Sequence, residues 1–332
     1  MNPARLFLPD QRLVALPSWQ RPRLVLDAEL AWRASALLPA QRLSARLMRA
    51  LLRASAPLRS PRRRAAITEA PVAVWVEGLA PLRPTAVLVG TAGPAQKLTV
   101  QFADRSGRAS LYAKIAWKAV ARRRLRQEAT VLAELPPGCA PRPVAYHRSA
   151  DYDVLLLEAE NGRVLRDTRR DAARARRYLE QLAGASARRA DGPHPWLLHV
   201  REALPELHPY VERLGTRRWP LVAAHGDFAP WNVLANGGRV TAIDWEYAIL
   251  EALPGFDLAY WRLQADALLA RRPPVEARKR AAERVAGALD IGGELAEALV
   301  RVTAGWARRE ALEDGHRADE PLLRWREEVA IG

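Results

Sequence analysis

The chain has a single cysteine, Cys139, among its 332 residues. One thiol excludes an internal disulfide and a thiolate metal cage. No apolar run reaches membrane-spanning length, and no charged-then-apolar leader with a small-residue cleavage site is visible. The expected compartment is therefore the cytoplasm. Internal repeats and low-complexity linkers are missing as well. Lysine is scarce, with only Lys97, Lys114, Lys118 and Lys279, so the net charge of +15 rests almost wholly on arginine.

Hydrophobic residues make up 49% of the chain, which marks a folding sequence with material for a large core or two lobes. The charge is uneven. Residues 1–70 hold thirteen arginines against four acids, and residues 291–332 hold six against nine. A basic end suits an anionic neighbour such as a membrane surface, nucleic acid or phosphorylated substrate. An Ala- and Arg-rich composition throughout the chain accounts for most of it more simply.

Three stretches follow one another. Residues 1–70 carry little strand signal and read as a basic, partly helical N-terminal extension. Within it, Gln41–Ser55 has helical periodicity, with Arg42, Arg46, Arg49 and Arg53 on one arc and leucines opposite. Such a helix could lie on an anionic membrane surface. Packing on the next domain with the arginines in water is the favoured reading, because these stripes are common in soluble helices. Residues 71–159 read as a β-rich lobe. "VAVWVE", "TAVLVGT", "KLTVQFA" and "SLYAKIAW" are strand-like, with a turn at Asp104–Gly107, a helix over Val120–Leu135 and strands near Pro143–His147 and Val154–Glu158. Residues 160–332 read as a mainly helical lobe. Two such lobes imply a cleft between them, where ligands favour binding.

"AAHGDFAPWNVLANGG" interrupts the helical part with polar residues in an apolar setting. "PLVAA" before it is a short buried strand, and "NVLA" and "RVTAIDW" form a hairpin through Asn236, Gly237 and Gly238. Asp244 is expected to end the second hairpin strand, facing Asn232 across its base, with Asp227 in the preceding loop. Two oxygen donors facing a pocket suit Mg²⁺, which takes its remaining ligands from water and substrate phosphates. A third carboxylate nearby could accept a proton from an attacking hydroxyl.

"HGDFAPWN" followed by "IDWE" resembles the aminoglycoside and choline phosphotransferases, small-molecule kinases with a protein-kinase-like fold. The resemblance covers roughly residues 80–270. It implies an α+β, two-lobed fold: a small antiparallel β-rich N-lobe and a mainly helical C-lobe. It implies Asp227 as the catalytic acid–base, with Asn232 and Asp244 as metal ligands. A kinase-like lobe also needs a lysine on its third strand, and "LYAKIAW" offers Lys114. Glu128 on the following helix would hold it, with Glu134, at the helix end, as competitor. Gly90 and Gly93 sit where a phosphate-covering loop belongs, without the full G-x-G-x-x-G pattern, so an ordinary turn is an equal reading. Backbone groups near Glu158 to Glu160 would read adenine. Asp257 reads equally as a helix cap and as a brace for the catalytic loop. His225 reads as a loop organiser, and Phe228 and Trp231 as its anchors.

Gly226 replaces the arginine of protein kinases, and the span from Asp244 to Asp257 is too short for a peptide-docking activation segment. Both features favour a small acceptor. The implied cofactors are ATP, with GTP as an alternative, and Mg²⁺. The implied partner is a hydroxyl-bearing small molecule: a sugar, amino-alcohol, aminoglycoside or glycoconjugate. The basic segment Arg163–Arg189 tilts the charge argument toward an uncharged or anionic acceptor. The competing reading is a catalytically inactive kinase-like module that binds nucleotide or a partner through its basic N-terminal region. Nucleic-acid binding is disfavoured, since aromatics are not interleaved with the arginine clusters.

Overall fold

The computed structural model describes residues 2–7, 11–28, 63–64 and 82–332. The helix expected over Gln41–Ser55 and the strand expected over residues 72–77 lie outside the described residues. The chain divides into two units, Met1–Ala129 with Arg142–Asn161, and Thr130–Pro141 with Gly162–Gly332.

The first unit is built on one antiparallel sheet. Its strands are β1 (Arg12–Leu16), β2 (Leu24–Asp27), β3 (Arg63–Arg64), β4 (Arg83–Val89), β5 (Lys97–Ala103), β6 (Ala109–Ala116), β7 (Pro143–Arg148) and β8 (Asp153–Glu158). The sheet order is β3-β1-β2-β4-β5-β6-β8-β7. Alternating apolar residues on β4, β5 and β6 enclose a core around Val87, Val100, Phe102 and Ile115. The β5–β6 hairpin closes at Asp104–Gly107 as expected. Asp104 Oδ1 accepts the N–H groups of Ser106 (2.8 Å) and Arg108 (3.0 Å), and Gly107 takes φ +74°. Helix α1 (Ala119–Glu134) follows β6.

The N-terminal reading needs correction. Residues 12–16 and 24–27 are strands of this same sheet, with β2 pairing β4 in the register Val25↔Val87. Both strands belong to the same unit as β4 to β8. The strand signal is weak because β1 and β2 are only five and four residues long, and all four residues of β2 are buried. A short strand buried throughout shows no polar alternation.

The second unit is mainly helical: α2 (Arg169–Ser186), α3 (Pro195–Ala203), α4 (His208–Gly215), α5 (Phe256–Gln264), α6 (Pro274–Leu289), α7 (Gly293–Glu313) and α8 (Pro321–Ile331). Its core joins Trp196, Leu207, Phe256, Leu299 and Trp306, with Trp196 meeting Phe256 edge to face at 5.3 Å. Small strands lie among the helices: β9 (Arg163–Val164), β10 (Val222–Ala224), β11 (Val233–Asn236), β12 (Arg239–Ala242) and β13 (Ile249–Ala252). β10 pairs β13, and β12-β11-β9 form a second small sheet. Among the described residues, no helix is long and apolar enough to cross a membrane.

Candidate active site

Strand β10 delivers the chain into the loop that starts at His225. Gly226 takes φ +80°, and a Cβ there would lie 1.9 Å from the Tyr247 carbonyl oxygen, so only glycine fits. Asp257, in the first turn of α5, reaches back to this loop. Its carboxylate accepts the N–H groups of His225 (2.6 Å) and Gly226 (3.0 Å). The cap position belongs to Gly255, so of the two readings of Asp257 the structure shows the brace. Burial raises the Asp257 pKa to about 7, against the pull of those two N–H donors.

His225 is fully buried against Trp245, ring to ring at 4.7 Å. Its Nε2 lies 2.8 Å from the Ile243 carbonyl, and its Nδ1 accepts the Asp227 N–H at 3.2 Å. These partners assign the neutral tautomer that donates from Nε2. With both nitrogens engaged by backbone, the imidazole organises the loop. Phe228 anchors it from below, buried and stacked on Tyr178 at 5.7 Å, while Trp231 is half-buried.

Both carboxylate oxygens of Asp227 accept hydrogen bonds. Oδ1 takes the Tyr260 hydroxyl at 2.7 Å, and Oδ2 takes the Asn232 amide at 2.8 Å. That amide also donates to the Asp227 carbonyl at 2.9 Å. Burial pushes the Asp227 pKa up to about 6; the Tyr260 bond and the Arg326 charge oppose it, and Glu246 and Asp244 add to it. The Tyr260 oxygen in turn accepts from Gln264 Nε2 (2.6 Å) and Arg326 (3.2 Å). Tyr260, Gln264 and Arg326 were missed in the sequence. Tyr260 had a signal, since it sits one helical turn after Asp257 in "FDLAYW". Arg326 lies on the distant helix α8 and had none.

The hairpin forms in the register Val233↔Ala242, and the Asn232 carbonyl accepts the Ile243 N–H at 2.8 Å. The second strand stops at Ala242, two residues earlier than expected. Asp244 lies beyond it at φ +67°, a left-handed conformation that aspartate tolerates better than most residues. Turning out of the strand, rather than pairing along it, is what sets its position. Between Asp244 and Asp257 the chain forms β13, which pairs with β10.

These residues fit a hard divalent cation. The Asn232 nitrogen is engaged by Asp227, so its carbonyl oxygen is the donor it has to offer. Asp244 adds carboxylate oxygens. Among the described residues, no group of three or more His, Cys, Asp or Glu could hold a metal ion, so an all-protein cage is not built here. Such a site would draw its other ligands from water and phosphate oxygens.

In the first unit, Lys114 on β6 forms a short, buried ion pair with Glu128 on α1. Glu134 is exposed at the end of the helix, which decides between the two. The β4–β5 loop holds Gly90, where a Cβ would lie 2.8 Å from the Lys97 carbonyl oxygen, and Gly93 at φ +155° with open space around it. Lys118 donates to the Gly93 carbonyl at 2.7 Å and to Gln96 at 3.2 Å, tying the loop down. At the end of β8, the N–H groups of Glu158 and Ala159 donate to the Arg142 and Ser110 carbonyls, each at 2.9 Å. The Glu158 carboxylate pairs with Arg142. Both of those N–H groups are engaged within the unit.

A cavity of about 180 Å³ adjoins the loop in the second unit, lined by Asp227, Tyr260, Glu310, His316, Glu320 and Arg326 among others. None of the arginines of the 163–189 segment lines it.

Residues 188–283, which contain the loop, the hairpin and Asp257, match the APH phosphotransferase enzyme family. The match takes in 96 of the 332 residues and marks this stretch as similar to that family. The resemblance seen in the sequence stands, and with it the expectation of a small-molecule kinase. The chain is also similar to the crystal structure of a thermostable mutant of the aminoglycoside phosphotransferase APH(4)-Ia in its apo form. That likeness has 16% identity and a TM-score of 0.53, covering 77% of this chain and 95% of the other. A ternary complex of such a mutant with ADP and hygromycin B gives 15% identity and a TM-score of 0.54, covering 79% and 97%. These likenesses establish the two-lobed, kinase-like α+β fold. No curated protein matches the chain.

Proposed function

We propose that the protein moves the γ-phosphoryl group of ATP to a hydroxyl of a small molecule, with Mg²⁺. The observation that carries this reading is the Asp227 carboxylate, oriented by Tyr260 and Asn232 beside a cavity in a segment similar to the phosphotransferase family. Asp227 accepts the proton as the acceptor oxygen bonds to phosphorus and the bond from phosphorus to the bridging oxygen breaks, releasing ADP. An aspartate near pKa 6 is ionised at neutral pH yet basic enough to take that proton. Asn232 and Asp244 would hold the cation, which neutralises phosphate charge when bound. Lys114, kept extended by Glu128, serves the α- and β-phosphates. Gly90 and Gly93 give a loop that backbone can bring close to phosphate. Asp257 and His225 support the loop from below.

The cavity beside Asp227 refines the acceptor. Its acids Glu310 and Glu320 stand against Arg326, whose guanidinium bonds the Ala307 carbonyl (2.8 Å) and Tyr260, and His316, which pairs with Glu320. The lining suits an amine-bearing hydroxyl compound better than the uncharged or anionic one suggested by the basic segment. The test is acceptor-dependent ADP release from a panel of amino-alcohols, aminoglycosides and neutral sugars, run with wild type and Asp227→Asn. Turnover should appear with an amine-bearing acceptor and fall by about 10²–10⁴-fold in the variant. Mg²⁺-dependent binding of ATP without turnover on any acceptor would favour the inactive module. Fractionation of the expressing cells would check the cytoplasmic expectation.

A further inference from the structure

A second, larger cavity lies in the helical unit and shares no lining residue with the first. Its volume is about 960 Å³, ample for a small organic ligand. It is formed where the segment after α2 bends into α3, opposite the end of α4 and the approach to β10. Five arginines line it against two carboxylates, Asp191 and Glu212.

The arginines are not neutralised by one another's neighbours. Arg188 lies 3.7 Å from Glu251, and Arg217 lies over the Trp219 ring at 4.9 Å. Arg189, Arg201 and Arg218 form no ion pair among the described residues, and all three are exposed. Like charges gathered around a concavity focus a positive potential into it. The guanidinium fork matches phosphate oxygens, two at a time.

The floor points the same way. His194 lines the cavity at 7% exposure, and neither of its ring nitrogens has a hydrogen-bond partner. Burial favours the neutral ring and lowers its pKa, while the Pro220 and Ala252 backbone groups interact with it and favour the charged form. A buried polar side chain without a partner is costly, and a ligand that bonds it removes that cost. His194 is also the N-cap residue of α3, and it makes no side-chain capping bond there. Leu197, Leu198 and Trp219 give the cavity an apolar wall.

We propose that this cavity binds a small organic phosphate carrying at least two negative charges and a ring or other apolar portion, as a site separate from phosphoryl transfer. The arginines take the phosphates, the apolar wall takes the rest of the ligand, and His194 bonds a hydroxyl or phosphate oxygen. This function does not depend on the kinase reading, and either can fail without the other.

The test is calorimetric titration of the full chain in Mg²⁺-free buffer with fructose 1,6-bisphosphate and with inorganic tripolyphosphate. The variants are Arg189→Ser/Arg218→Ser, Lys114→Ala and His194→Phe. Saturable binding at one site is expected, weakened at least about tenfold by the double arginine variant and unchanged by Lys114→Ala. The arginine variant should keep its wild-type melting temperature and its ATP turnover, because both side chains are exposed. His194→Phe tests the floor, and the arginine pair decides the case if that variant fails to fold. Absence of saturable binding overturns the proposal. So does binding that Lys114→Ala removes and the arginine variant does not. Tighter arginine-dependent binding to a single-stranded oligonucleotide, or to phosphatidylcholine–phosphatidylserine vesicles, would replace the small ligand with a macromolecular or lipid partner and also overturns it.

Discussion

The Tyr260 hydroxyl donates to Asp227 Oδ1 at 2.7 Å, joining the first helix after the hairpin to the acid of the loop before it. A hydroxyl bonded to a carboxylate favours the charged form, so Tyr260 restrains a pKa that burial drives upward.

Tyr260→Phe should therefore raise the Asp227 pKa above about 6. A general base works only when deprotonated, so activity rises with pH through that value. The acid limb of the kcat/KM profile should move to higher pH in the variant. At neutral pH, kcat should fall by about twofold, because losing about 1.5 kcal/mol of charged hydrogen bond raises the pKa by about one unit and leaves roughly half of the carboxylate ionised. An unmoved acid limb would show that Asp227 does not set the profile.

Gly226→Ala should be severely destabilising. The added Cβ would meet the Tyr247 carbonyl at 1.9 Å, in a backbone conformation that disfavours any side chain. A loss of about 3 kcal/mol or more is expected by denaturant unfolding. Gly184→Ala is the control. Nothing lies within 4 Å of its Cβ, and α2 should gain up to about 1 kcal/mol.

Lys114→Ala should lower stability by about 3–5 kcal/mol, since it strands the buried Glu128 carboxylate. Lys114→Met/Glu128→Leu should recover most of that stability and none of the phosphoryl transfer. Paired unfolding and ADP-release assays separate the two roles. Recovery of activity in the double variant would remove Lys114 from the mechanism.

Asp257→Ala leaves the N–H groups of His225 and Gly226 without their acceptor. Each lost partner costs about 1–3 kcal/mol when buried. The melting temperature should drop, and kcat should fall more than the acceptor KM rises, because the loop that aims Asp227 loses its brace. Equal loss in both parameters would place Asp257 in the fold alone.

The Asp227–Asn232–Asp244 spacing was legible because one loop and one hairpin contain it, and turn chemistry at Gly237 fixes their register. The choice of Glu128 over Glu134 also followed from helix position. What the sequence hid was tertiary. Tyr260 and Arg326 reach Asp227 through packing of helices far apart in the chain, and no local periodicity records that. β1 was hidden by its shortness, and β2 by burial on both sides. The end of β12 was misplaced by two residues because "RVTAIDW" stays apolar past the point where Asp244 turns away. Asp257 could not be resolved between cap and brace, since either role uses the same side chain at the same helix end.

Arg326 stands 66 residues beyond the tyrosine it steadies. A nascent polypeptide halted after α7 would already hold the loop, the hairpin, Asp257 and Tyr260, yet not the guanidinium on α8. Competence for proton transfer would then mature late in synthesis, after the motif that announces it has long left the ribosome.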